Sequence, residues 1–340
     1  MDVNGKDVLV ELDANLEGTL IAAAFVTKSG NSSSNEGKSG NTTVGGTTIP
    51  IKATARYDET GGDLICMLAL NKTADNAMYF YGTGDIKATG CGFHSDSHSV
   101  DQALHLQGNA DATAKFFHTV GGWSQTGASG SFSTTPLSGK QEKGNPFSLS
   151  ITCPAAAGTT ITPTGTTGAA TVLNALVYKD ITMQNNKVAK FAAGVHYIKG
   201  TIDLKNGSLL TGTDVTLVLC GSSAKINMNG GSLQLQAPNS SSATYKGFAV
   251  IGDTTATATQ ELQGGPSTYI RGIWYTPKAT LSITGNSDFN VNSKYFPIVA
   301  DKVSVGGTGA INIGIDYNAY GYDEPKELLS NKDRTVWLVQ

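Results

Sequence analysis

Two stretches of this chain echo each other at a fixed distance, and that echo restricts the fold more than any single residue does. Gly82-Thr83-Gly84-Asp85-Ile86-Lys87-Ala88 aligns with Gly108-Asn109-Ala110-Asp111-Ala112-Thr113-Ala114 at a spacing of 26, with the first Gly, the Asp and the last Ala matching. Gly207-Ser208-Leu209 returns as Gly231-Ser232-Leu233 at a spacing of 24. Repeats of this length point to stacked units. Between Val172 and Ile315 the chain carries short apolar-x-apolar pieces, among them Ile202/Leu204, Val215/Leu217/Leu219, Ile226/Met228, Leu281/Ile283, Phe289/Val291 and Val303/Val305. A period of two puts each set on one strand face. Asn206-Gly207, Gly212, Gly221, Asn229-Gly230-Gly231, Gly285-Asn286 and Gly306-Gly307-Thr308-Gly309 separate them, residues that accept the positive φ of a tight corner. A sandwich or a solenoid gives many short strands; the near-constant 24 to 26 favours the solenoid. The expectation is a mainly β protein, a parallel β-helix of the right-handed sense usual for parallel crossovers, with a small β-rich N-terminal segment.

Composition agrees. The 340 residues include 41 glycines, and only 15% are charged, with 24 Lys plus Arg against 27 Asp plus Glu. Gly, Ser, Thr and Asn compete poorly for helix interiors, which excludes a bundle or coiled coil. A net charge of −3 argues against nucleic acid as a partner. The longest apolar runs, Leu20 to Val26 and Leu64 to Leu70, fall far short of the ~20 residues that cross a bilayer. Met1-Asp2-Val3-Asn4-Gly5 lacks the basic and apolar regions of a secretory signal, which reads as a cytosolic protein or one whose targeting segment has been cut away.

Along the chain, 1–60 reads as the β-rich N-terminal segment with a flexible Gly/Ser/Asn/Thr loop at 29–48. Residues 61–123 read as first solenoid coils, 124–168 as an extended crossing segment over the solenoid surface, and 169–316 as the main β-helix. Residues 317–340 read as a C-terminal cap, with one helical turn over 323–329, and a closing strand.

Candidate chemistry is sparse. His94, Asp96 and His98 stand at i, i+2 and i+4, a spacing that an extended strand projects from one face, and they form a weak metal-site candidate with no obvious fourth ligand. His196 alternates with apolar neighbours and reads as a solvent-facing strand residue. Asp253-Thr254-Thr255-Ala256-Thr257 follows a strand as in a metal-dependent adhesion site, but the residues after it make a poor helix. A β-helix hydrolase or lyase needs clustered carboxylates; Asp180, Asp203, Asp214, Asp288 and Asp301 are scattered. No metal, cofactor or enzyme activity is expected. Trp274, Tyr275, Tyr317, Tyr320 and Tyr322 are candidates for a sugar- or protein-binding surface, with core or capping use as the plainer reading. The four cysteines, Cys66, Cys91, Cys153 and Cys220, form no CxxC pair. They allow three disulfide connectivities, of which Cys66 with Cys91 and Cys153 with Cys220 is favoured, or four separate buried thiols.

The order of several motifs resembles TadG-like proteins of the Flp-type, tight-adherence pilus systems. They are Cys66-Met67-Leu68-Ala69-Leu70-Asn71, Gly90-Cys91-Gly92, Asn145-Pro146 with Cys153, and Ala193-Gly194-Val195-His196-Tyr197-Ile198-Lys199-Gly200. The series continues with Leu233-Gln234-Leu235-Gln236-Ala237-Pro238, Tyr245-Lys246-Gly247-Phe248, Ile270-Arg271-Gly272-Ile273-Trp274-Tyr275-Thr276-Pro277 and Val336-Trp337-Leu338-Val339. The resemblance implies an extracytoplasmic, non-enzymatic structural or adhesive component of a Gram-negative envelope. Its partners would be other pilus-assembly proteins or minor pilins, or a surface glycan. It also implies Cys66 and Cys91 as a pair in an oxidising compartment. Family members are held by one N-terminal transmembrane helix, which this chain does not include, and some carry a von Willebrand factor A domain that this chain does not show.

Overall fold

The computed structural model describes residues 7–14, 49–59, 62–127, 129–174, 176–263, 267–285, 289–290, 293–330 and 334–339. The expected loop at 29–48, the corner residue Asn286 and the positions Asp288 and Val291 lie outside these residues. The chain divides into two compact units, Met1–Gly62 with Lys332–Gln340, and Asp63–Asn331. In the first, the strands Asp7–Ala14, Ile49–Glu59 and Arg334–Val339 form one antiparallel sheet with Ile49–Glu59 in the middle. The segment expected as a closing strand for the solenoid is therefore paired with the N-terminal region. No helix among the described residues is long and apolar enough to cross a membrane.

The second unit is a parallel β-helix. Each full coil has three strands, as in Gly194–Ile198, Thr201–Lys205 and Leu209–Thr213, followed by Val215–Leu219, Lys225–Asn229 and Ser232–Gln236. Strands of successive coils pair in parallel. Two sides of the helix belong to one 16-stranded sheet, because Val177–Met183, Ile273–Gly285 and Ile298–Gly307 each run round the corner and pair on both sides. A four-stranded and a five-stranded sheet make the third side.

Alternation sets the core. On the second side Leu204, Met228, Leu262, Ile283, Val305, Phe80 and Leu106 stand in register on seven successive strands, all buried. Each such side chain contributes about 1.5–3 kcal/mol of hydrophobic stabilisation, so the stack is self-reinforcing along the axis. The first side behaves differently. Ile65–Ala69, Val215–Leu219 and Phe248–Gly252 are buried residue after residue, which requires cover on both faces.

The echoes map onto coils in two ways. At spacing 26 the match is the true register, with Gly82 opposite Gly108 and Asp85 opposite Asp111. At spacing 24 it holds for Lys205 opposite Asn229 but slips to Leu209 opposite Ser232. The corner Asn206-Gly207-Ser208 has one residue more than Gly230-Gly231. Asn206 and Gly207 take φ of 48° and 74°, the left-handed region that these residues tolerate. Gly212, expected at a corner, instead lies inside the strand Leu209–Thr213 and is buried, with Val215 and Leu235 side chains 3.0 and 3.2 Å from where its Cβ would be.

Coil order does not follow chain order. The chain enters at the coil of Ile65–Ala69, Met78–Gly82 and Asp85–Thr89, winds through Gly92–Thr113 and ends its first run at Phe117–Thr119, Trp123–Thr126 and Ser131–Phe132. It then crosses to the far end of the helix and winds back from Thr159–Ile161. The last coil of this second run, Ile298–Gly307 with Ile311–Gly314, stacks on the first coil of the first run. The crossing strap spans 133–158, shorter at both ends than the expected 124–168, because Trp123–Phe132 still pairs with its neighbours and Thr159–Ile161 already begins the second run.

Leu137 first bridges to His118 on the end coil. Lys143 and Gly144 donate backbone N–H bonds to Asp96 at 2.7 and 2.8 Å. Asn145 bonds the Tyr275 hydroxyl, Phe147 packs on Phe248 and Tyr275, and Cys153 is joined to Cys220. These anchors descend the coils in order, so the strap covers the outer face of the first side. The 3₁₀ turns Tyr317–Tyr320 and Lys326–Leu328 follow the last coil, the second within the expected helical turn. Asp63 and Ser330 then bond to each other where the chain enters and leaves the unit.

Candidate binding face

The second side carries an outward polar ladder. Its alternate positions place Asp203, Asn227, Glu261, Ser282, Ser304, Tyr79, His105 and Ser124 in one in-register row. Within this row Asp203 accepts from Asn227 at 2.9 Å and from Lys205 at 2.6 Å, and Glu261 is exposed. Asp301, three residues before Ser304 on the same strand, accepts two bonds from Asn71.

At the end of the ladder the row turns aromatic. The strand Met78–Gly82 alternates buried Met78 and Phe80 with half-buried, outward Tyr79 and Tyr81. The two tyrosine rings are nearly parallel, 18° apart with centroids at 5.0 Å. Tyr79 also packs on the His105 ring at 5.3 Å and donates its hydroxyl to the Gln107 carbonyl. Burial lowers the His105 pKa, so the neutral ring uses both nitrogens: Nδ1 donates to Asn76 at 2.8 Å and Nε2 accepts the Thr126 hydroxyl at 2.9 Å. Opposite Tyr81 on the neighbouring strand is Gly306, where a Cβ would run into the Tyr81 ring. The missing side chain is what lets the tyrosine lean over the sheet.

The metal candidates are not brought together as a trio. The strand stops at Ser95, and His98 is exposed, with Nε2 2.5 Å from Glu142 of the strap. His94 and Asp96 are buried; Nε2 of His94 lies 3.1 Å from Oδ1 of Asp96 without making a hydrogen bond. Asp96 uses its two oxygens on the strap N–H groups. Glu142 is gripped from two sides, by Lys72 at 2.6 Å and by His98. Hydrogen bonding from Lys72, and next from His98, pulls the Glu142 pKa below the usual carboxylate range, and Glu142 raises that of Lys72. These residues form a clasp on the strap.

Three of the five predicted surface aromatics are interior. Trp274 is fully buried and donates to Thr276 at 3.1 Å. Tyr275 is covered by the strap, and Tyr322 is buried with its hydroxyl on the Ala237 and Arg271 carbonyls. Tyr317 and Tyr320 are half-buried against the core; Tyr320 and Tyr269 flank Arg271, with centroids at 5.1 and 4.1 Å. The plainer capping reading describes all five. His196 is also a correction: it is buried and donates Nε2–H to Ala192 O at 2.7 Å.

All four cysteines are paired, Cys66 with Cys91 and Cys153 with Cys220. Asp253 lies beside the second pair, but its carboxylate caps its own turn through Thr255 N–H and Oγ1, and the sulfurs are spent in the disulfide.

The Tyr79–Tyr81–His105 platform is absent from the sequence-derived candidates. The signal was available: a shift of 26 puts Tyr79 on His105 and Tyr81 on Gln107. In Met78-Tyr79-Phe80-Tyr81, however, every residue can be buried, so the sequence hides which pair faces out. Comparison with family models, with curated proteins and with solved structures finds no match to this chain.

Proposed function

We propose that this chain is a non-enzymatic structural or adhesive component of a bacterial tight-adherence pilus apparatus, acting on the extracytoplasmic side of the envelope. The observation that carries the scaffold reading is the outward ladder, in which the Asp203 carboxylate is held by Asn227 and Lys205 and the other carboxylate of the row, Glu261, stands two strands away. Two disulfides in a chain of this size support an oxidising compartment. The long row of hydroxyl, amide and phenol groups is the kind of surface a scaffold presents to a partner. Assignment to the pilus machinery rests on the ordered motifs.

Two experiments test these readings. In a strain lacking the protein, surface attachment should fall, and affinity capture of the tagged protein from the envelope should recover pilus-assembly proteins or minor pilins. Recovery without them removes the pilus assignment. Turnover of a polysaccharide or ester by the purified protein, abolished by one Asp or His substitution, would make it an enzyme instead.

A further inference from the structure

We infer that the outer face around Tyr79 and Tyr81 is a binding site for a neutral oligosaccharide. The inference deepens the adhesive reading and rests on it. Three observations converge. First, two nearly parallel tyrosine rings stand on the outer face of a sheet, and Gly306 on the neighbouring strand gives the Tyr81 ring room to lie over it. Aromatic faces bind the apolar C–H faces of sugar rings while their hydroxyls bond at the edge. Second, the platform is pre-organised: Tyr79 packs against Tyr81 and against His105 and is tied to Gln107, and His105 is fixed by Asn76 and Thr126. Side chains already ordered lose little entropy on binding. Third, Tyr79, Tyr81, Gln107, Asn76 and Thr126 carry no formal charge, and the depressed pKa of His105 keeps its ring uncharged near neutrality. Hydrogen bonding with aromatic contact, without a counter-charge, selects a neutral glycan over an acidic one. The ladder continues the site along the axis through Ser304 and Ser282, so an extended chain gains contacts that a monosaccharide cannot.

The test uses the full chain, a glycan array, and calorimetry with cellohexaose and maltohexaose as neutral probes and polygalacturonate as the acidic one. The expected result is binding of a neutral glycan, insensitive to salt, weakened at least tenfold by Tyr79→Ala and by Tyr81→Ala and left intact by Tyr317→Phe. Circular dichroism and melting temperature confirm that the variants fold, and Tyr79→Phe, which keeps the ring, should retain most of the affinity. No neutral glycan bound on the array or in calorimetry overturns the inference. So does affinity unchanged in folded Tyr79→Ala and Tyr81→Ala, salt-dependent preference for polygalacturonate, or a protein partner lost in these variants with no glycan bound. Surface attachment that survives both substitutions overturns the glycan site and leaves the adhesive reading standing. Glycan binding with no effect of gene deletion on attachment does the reverse.

Discussion

A buried carboxylate illustrates how a residue's role depends on what crosses over it. Asp96 is fully buried, and its two oxygens hold successive N–H groups of the strap. Hydrogen bonds to an ionised group contribute about 1.5–3 kcal/mol each. Asp96→Ala should therefore destabilise the protein by about 3 kcal/mol in urea unfolding, and Asp96→Asn, which keeps one acceptor, by less. The rim of the clasp gives a pH dependence. Glu142 has a lowered pKa, so its contribution is complete above the ordinary carboxylate range and is lost as pH falls through the lowered value. Lys72 has a raised pKa, so its share is complete below the ordinary lysine range and lost only as pH rises through the raised value. Lys143 and Asp96 face the same clasp. The protection factors of the amides of residues 139–145, measured against their intrinsic exchange at each pH, should fall in acid and stay high across neutral pH; equal protection at both would show that the clasp does not hold the strap. The spacing of His94, Asp96 and His98 was visible in the sequence, but their use was not. The residue that takes His98 is 44 positions away, and no local pattern announces it.

At the scale of elements, the strap makes the difference between the sides of the helix. The strands of the second and third sides alternate, and their period-two pattern was readable directly from sequence. Three of the first side, Ile65–Ala69, Val215–Leu219 and Phe248–Gly252, are buried throughout, and the reading of Val215/Leu217/Leu219 as one apolar face missed the cover over Val218. The same cover accounts for Tyr275, whose strand position faces away from the core but under Asn145 and Phe147. The disulfide of Cys153 with Cys220 fixes the strap in place, and that of Cys66 with Cys91 joins two neighbouring coils. Cys153 and Cys220 are 67 residues apart and Cys66 and Cys91 are 25 apart, and chain-entropy arguments give about 4 and about 3.5 kcal/mol respectively. Cys153→Ser with Cys220→Ser should lower stability by about that larger figure. Trypsin should then cut at Lys140 and Lys143 much sooner than in the parent protein, with the coils remaining protected. Cutting of the coils at the same rate would mean that the strap and the solenoid open together.

Over the whole solenoid, the order of coils sets the folding problem. Pairing within each run is between neighbouring coils, whereas the seam joins Val303 to Met78 and Ile298 to Met67 across more than two hundred residues. Contacts of such separation form late because loop closure precedes their reward. Met78→Ala removes a buried side chain at the seam and should cost about 2–5 kcal/mol. Most of this should appear as faster unfolding, with refolding little changed in stopped-flow measurements. Slower refolding with unchanged unfolding would place the seam in the nucleus. The sequence by itself determined that the chain is β, that it stacks in coils and that Gly and Asn turn many of its corners, because side-chain alternation and the conformational freedom of those residues are local properties. Only the tertiary structure decided which coil lies on which, where the strap runs and therefore which aromatics are covered. Those follow from pairings between segments distant in the chain, and a chain that leaves its stack and returns to it from the other end carries no local mark of doing so.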